Sequence, residues 1–67
     1  MPVITLQITT GVTKDQKRRI VEEFTDTLVR VANKKSEHLH IIIQEVPEEN
    51  WGYAGMLTDA FRRTTND

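Results

Sequence analysis

Along this chain the spacing of apolar residues changes twice, from every second position to helical spacing and back again, and that order constrains the fold more than any other feature. Within residues 2–9, Ile4, Leu6 and Ile8 alternate with Thr5, Gln7 and Thr9, as in a strand with one buried face. Gly11 ends the alternation. Thr13, with Gln16 three residues on, reads as a capping box that opens a helix. Ile20, Val21, Phe24, Leu28, Val31 and Ala32 then fall within about one third of a helical wheel, the face expected to form the core, opposite Arg19, Glu22, Glu23, Asp26 and Arg30. Asp26 and Arg30 form an i,i+4 pair in the favourable order, a minor contribution. Val29 lies off the stripe, and a lone exposed valine needs no explanation. Residues 33–36 are polar and include Lys34 and Lys35, placed where the carbonyl end of a helix favours positive charge. Alternation returns in residues 38–46, with Leu39, Ile41 and Ile43 on one face and His40, Ile42 and Gln44 on the other.

These elements predict an α+β fold, a β-α-β protomer whose helical crossover is right-handed and whose two strands are therefore parallel. After a loop at 47–50, Trp51-Gly52-Tyr53-Ala54-Gly55 alternates aromatic and small residues, which suits a short C-terminal β-hairpin. Residues 56–61 are expected to form one helical turn and residues 62–67 to fray. A chain of 67 residues accommodates one domain, spanning 1–67. A two-stranded sheet with one helix covers a single sheet face, so Ile42 and Val46 on the other face, together with the strand edges, call for partners. Self-association is the expected answer, a homo-oligomer.

Charge and composition narrow the function. A formal net charge of −1 offers no electrostatic ground for nucleic acid or an anionic membrane as partner. The chain has no Cys, which removes disulfides and thiolate chemistry and favours a cytoplasmic setting over a secreted one. No leader-like stretch and no apolar run of membrane-spanning length is evident. His38 and His40 are expected to share a strand face, with Glu37 beside them, but no matched third ligand accompanies the two imidazoles, so no metal is expected.

One residue carries chemistry that its neighbours do not. Once Met1 is removed, Pro2 becomes a secondary amine at the chain terminus, and α-amino groups titrate near 7.7–8.0 or so in model peptides. Such a group is a competent base at neutral pH, suited to removing a proton next to a carbonyl. Taken alone, a proline at this position means only a compatible strand start.

Taken with its context it means more. Pro2 before an alternating strand, Gly11 before a capped helix, an Ile-rich second strand and Trp51-Gly52-Tyr53-Ala54-Gly55 near the end together resemble the 4-oxalocrotonate tautomerase family, over residues 2–63 and without an insertion. That resemblance implies a hexamer, a trimer of dimers, with the active site at a subunit boundary around the terminal proline. It implies a cofactor-independent keto–enol tautomerase, an isomerase acting on a 2-hydroxyalkenoate or 2-oxo acid, with Pro2 as base and then acid. Trp51 occupies the position of an aromatic that borders the site. Two positions depart from the family pattern, which has arginines that grip substrate carboxylates where this chain has Val12 and His40. Valine cannot replace a guanidinium, and imidazole is not a permanent cation; His40 is expected to donate a hydrogen bond to a substrate oxygen. Arg18, Arg19, Arg62 and Arg63 read as solvated. The resemblance also leaves two alternatives: the same amine acting in hydration, dehalogenation or decarboxylation of an unsaturated acid, or a non-catalytic oligomeric scaffold with Met1 retained.

Overall fold

The computed structural model describes residues 1–60. They run as β1 (Val3–Thr9), α1 (Lys14–Ala32), β2 (His40–Val46) and a hairpin of β3 (Gly52–Tyr53) and β4 (Met56–Leu57), with 3₁₀ turns at Ser36–His38 and Glu48–Asn50. β1 and β2 pair in parallel from Val3 opposite His40 to Thr9 opposite Val46, as expected, because α1 supplies the long crossover a parallel pair requires. The ladder runs one bond past each end. The His40 N–H donates to the Pro2 carbonyl at 3.1 Å and the Thr10 N–H to the Val46 carbonyl at 3.2 Å.

Local chemistry sets the helix ends. Thr13 Oγ1 accepts from the Gln16 N–H at 3.1 Å while Gln16 Oε1 accepts from the Thr13 N–H at 2.9 Å, so two amides that the helix leaves without carbonyl partners are satisfied reciprocally. At the other end Asn33 adopts a left-handed conformation, φ 55, and its N–H and that of Lys34 both reach the Leu28 carbonyl. Asparagine tolerates that geometry better than most residues.

The alternation sorts the sheet faces. Ile4, Leu6, Ile8, Ile41 and Ile43 are half-buried, whereas Val3, Thr5, Gln7, His40, Ile42 and Gln44 are exposed on the opposite face, where Gln7 Nε2 donates to Gln44 Oε1 at 3.0 Å. Glu45 lies on the half-buried side and forms an ion pair with Lys17 of α1.

Three expectations are corrected. Residues 56 and 57 belong to a strand, not a helical turn, because the hairpin turn falls at Ala54 (φ 55) and Gly55 (φ 78). Positive φ at both central residues is what a two-residue hairpin connection demands, and it sets Tyr53 opposite Met56 and Gly52 opposite Leu57. A helical turn begins only at residue 58; Phe61 and residues 62–67 lie outside the described residues. Second, β2 starts at His40, and His38 belongs to the preceding 3₁₀ turn, so the two imidazoles do not share a strand face. Third, the apolar helix stripe is not a buried core: Ile20 and Leu28 are half-buried, but Val21, Phe24 and Ala32 are exposed and Val31 is 71% exposed. Two strands, about 5 Å apart, are too narrow to cover so wide a stripe.

Among the described residues none is fully buried, and Ile42 is 51% exposed. The radius of gyration is 15.5 Å, against about 11 Å for a compact chain of this length. The protomer is a component shape, with apolar surface on both layers. Among the described residues no helix is long and apolar enough to cross a membrane.

Candidate active site

Strand order places the expected site residues at two ends of the sheet. Pro2 precedes β1 and is half-buried, held through its carbonyl by the backbone N–H of His40. Its nitrogen takes no part in the ladder, since proline has no N–H to give. His40 opens β2 opposite Val3, with its side chain exposed on the face that carries Ile42. Pro2 and His40 are thus brought to one end.

Val12 and Trp51 are brought to the other. Both follow the carboxyl ends of the parallel strands, Val12 after the bend at Gly11 and Trp51 after the Glu48–Asn50 turn. Trp51 is half-buried, and its carbonyl accepts from both the N–H of Thr58, at 2.9 Å, and its hydroxyl, at 2.7 Å. A seven-residue strand at 3.3 Å or so per residue separates the ends by about 20 Å. No small molecule touching Pro2 reaches Trp51 of the same chain.

At the Val12 end the surface is hollow. A cavity of about 420 Å³ opens between β1 and α1, with Ile8, Val12, Ile20 and Phe24 as apolar walls and Arg19 and Glu23 among its polar ones. Arg19 Nε donates to Glu23 Oε2 at 2.8 Å, and that carboxylate raises the Arg19 pKa above its ordinary value, through the hydrogen bond first and charge attraction second. The pair is solvent-exposed. Arg18 is held in the same way by Asp15 and Glu22, and Arg30 lies 3.6 Å from Asp26, so these three described helix arginines each have a carboxylate partner. Sequence reading treated Arg19 as solvated and did not find the cavity. The i,i+4 spacings Arg19–Glu23 and Ile20–Phe24 were visible, but nothing in the order of residues said that Ile8 and Val12 would face them. Among the described residues no group of three His, Cys, Asp or Glu side chains converges to hold a metal. Arg62 and Arg63 lie outside the described residues.

Comparison with known proteins gives one consistent answer. A family model described as "Tautomerase enzyme" matches residues 2–60. The 2-hydroxymuconate tautomerase of Pseudomonas putida is 36% identical over 56 residues, 84% of this chain and 89% of that protein. Among solved structures, DmpI from Helicobacter pylori superposes with a TM-score of 0.82 at 31% identity, covering 88% of this chain and 98% of that one. A 4-oxalocrotonate tautomerase isozyme from Methylibium petroleiphilum does so with a TM-score of 0.86 at 30% identity, covering 96% and 98%.

Proposed function

This chain belongs to the tautomerase family and is an isomerase, and from that premise we propose that it interconverts the enol and keto forms of an unsaturated 2-hydroxy or 2-oxo acid, with the amine of Pro2, freed by removal of Met1, as the proton carrier. The amine takes the proton of the enol hydroxyl, the oxygen becomes the ketone carbonyl, and the electron pair moves to carbon. The ammonium then returns the same proton to that carbon, so nothing but the substrate changes and no co-reactant is consumed.

The observation that carries this reading is the position of Pro2: half-buried at the start of β1, tied to β2 only through its carbonyl, with its nitrogen outside the hydrogen-bond ladder. A terminal α-amine titrates not far above neutrality in model peptides, where a base is effective. His40, anchored through its backbone beside Pro2, is the group assigned to donate to the substrate carboxylate or carbonyl.

Trp51 is assigned as the wall of the site, and the 20 Å or so between the two ends of the sheet requires a second chain to supply it. A two-fold axis that pairs the free edge of β1 with its own copy makes the two strands antiparallel. Centred on Leu6, such pairing brings Pro2 of one copy to the 9–12 segment of the other. The resulting dimer keeps an exposed sheet face bearing Val3 and Ile42, and we read the assembly as a homo-hexamer, a trimer of such dimers, that covers it. A cytoplasmic setting suits a chain without cysteine.

The test is ketonisation of phenylenolpyruvate by protein whose intact mass shows Met1 removed. Pro2→Ala, and protein retaining Met1, whose residue-2 nitrogen is an amide, should each be slower by about 100-fold or more. Equal rates for the wild type and Pro2→Ala would overturn the assignment.

A further inference from the structure

Trp51, assigned above as the wall of the site, sits at a joint in the chain. Its N–H donates to the Glu48 carbonyl at 3.2 Å, which closes the 3₁₀ turn before it. Its carbonyl accepts twice from Thr58, from the N–H at 2.9 Å and from the hydroxyl at 2.7 Å. Between these two residues lies the hairpin, whose strands pair Gly52 with Leu57 and Tyr53 with Met56. Residues 52–55 and Leu57 are exposed, whereas Trp51 and Thr58 are half-buried. So short a two-stranded ribbon is at best marginal in water by itself, and the Thr58 bonds close its mouth. The N–H bond is available to any residue but proline; the hydroxyl bond depends on the side chain. Its length is ordinary for a hydroxyl donor, and it gives the second lone pair of the Trp51 carbonyl a partner. With both backbone groups of Trp51 engaged, the direction of its Cα–Cβ bond is set and the indole keeps only its side-chain rotations. A group that packs against substrate works only when its supporting shell holds it in place.

We propose that Thr58 is a positioning residue of the enzyme: its hydroxyl, by closing the hairpin onto the Trp51 carbonyl, holds the indole as the face against which substrate packs. The inference rests on the assignment of Trp51 as the wall and deepens it. Thr58 touches no reacting atom, and its effect passes through Trp51.

Thr58→Val removes the hydroxyl while keeping the side-chain shape, and it leaves the carbonyl its N–H donor, so no polar group is orphaned. With Met1-processed enzyme and phenylenolpyruvate it should raise KM by about three- to tenfold, the scale of one neutral hydrogen bond, with kcat nearly unchanged. Thr58→Ser, which keeps the donor, should restore the wild-type KM. Trp51 is the only tryptophan of the chain, so its fluorescence reads the joint directly. Anisotropy should fall and acrylamide quenching rise in Thr58→Val, and both should return in Thr58→Ser. In a Trp51→Ala background, where no indole remains to be placed, Thr58→Val should leave KM unmoved. Unchanged KM or unchanged anisotropy in Thr58→Val, an equal rise of KM in the Trp51→Ala background, or a serine variant as impaired as the valine one overturns the inference and leaves Trp51 and Pro2 in their roles. Loss of the assembly in Thr58→Val by light scattering assigns the hydroxyl to the fold and also overturns it. If Trp51→Ala itself leaves KM unchanged, the wall assignment has failed and the inference falls with it. If no enol turns over in a Pro2-dependent way, the proton-transfer reading has failed, and the joint is read by calorimetric binding of hydrocinnamate. Weaker binding by Thr58→Val than by the wild type and Thr58→Ser sustains the inference; equal binding by all three, or none, overturns it.

Discussion

Gly11 turns the chain out of β1 with φ +124, a conformation in which an L side chain is strained although a Cβ there meets no atom within 4 Å. Gly11→Ala should therefore cost about 1 kcal/mol or more of stability through the backbone alone, measured by urea unfolding at fixed protein concentration. At this scale the sequence was informative where a residue type dictates chemistry or geometry. A proline able to become a terminal amine and a glycine able to take a positive φ are visible as letters. Arg19 is solvated, as its letter suggests, but its place beside an apolar hollow was not visible, because that is a fact of packing.

The helix shows which local interactions carry weight. Its N-terminal capping box satisfies two backbone amides with short bonds at 2.9 and 3.1 Å, and Thr13→Ala should cost about 1 kcal/mol, seen as a lower urea midpoint with an unchanged slope. The exposed pairs Arg18–Asp15, Arg18–Glu22, Arg19–Glu23 and Arg30–Asp26 are strongly screened, and Arg18→Ala should change stability by less than about 0.5 kcal/mol in the same assay. The cap and the Arg30–Asp26 pair follow from spacings of three and four residues and were legible beforehand. The hairpin was only half legible: aromatic and small residues announced it, but its turn at Ala54 and Gly55 carried the second strand on to Leu57, over residues read as helical. An alanine with positive φ is not what turn propensity anticipates, and the pairing of Gly52 with Leu57 and Tyr53 with Met56 overrides it.

In the proposed assembly a protomer with no fully buried residue among those described draws its stability from other copies, so unfolding should depend on protein concentration. The thermal midpoint should rise with each tenfold increase in concentration, followed by circular dichroism. Ile42→Glu, on the exposed sheet face, should dissociate the assembly by light scattering and abolish turnover although Ile42 touches no reacting atom; an intact, active assembly of that variant would show the face to be free in solution. By itself the sequence determined the kinds and order of β1, α1 and β2 and the parallel pairing of the two strands, because periodicity and capping act over a few residues. Only the tertiary structure decided that Pro2 and Trp51 stand at opposite ends of one sheet, that α1 leaves most of its apolar stripe uncovered, and that Val12 opens onto a hollow with Phe24. Those are relations between residues distant along the chain, set by register and by the narrowness of two strands beneath a helix, and spacing along the chain does not encode them.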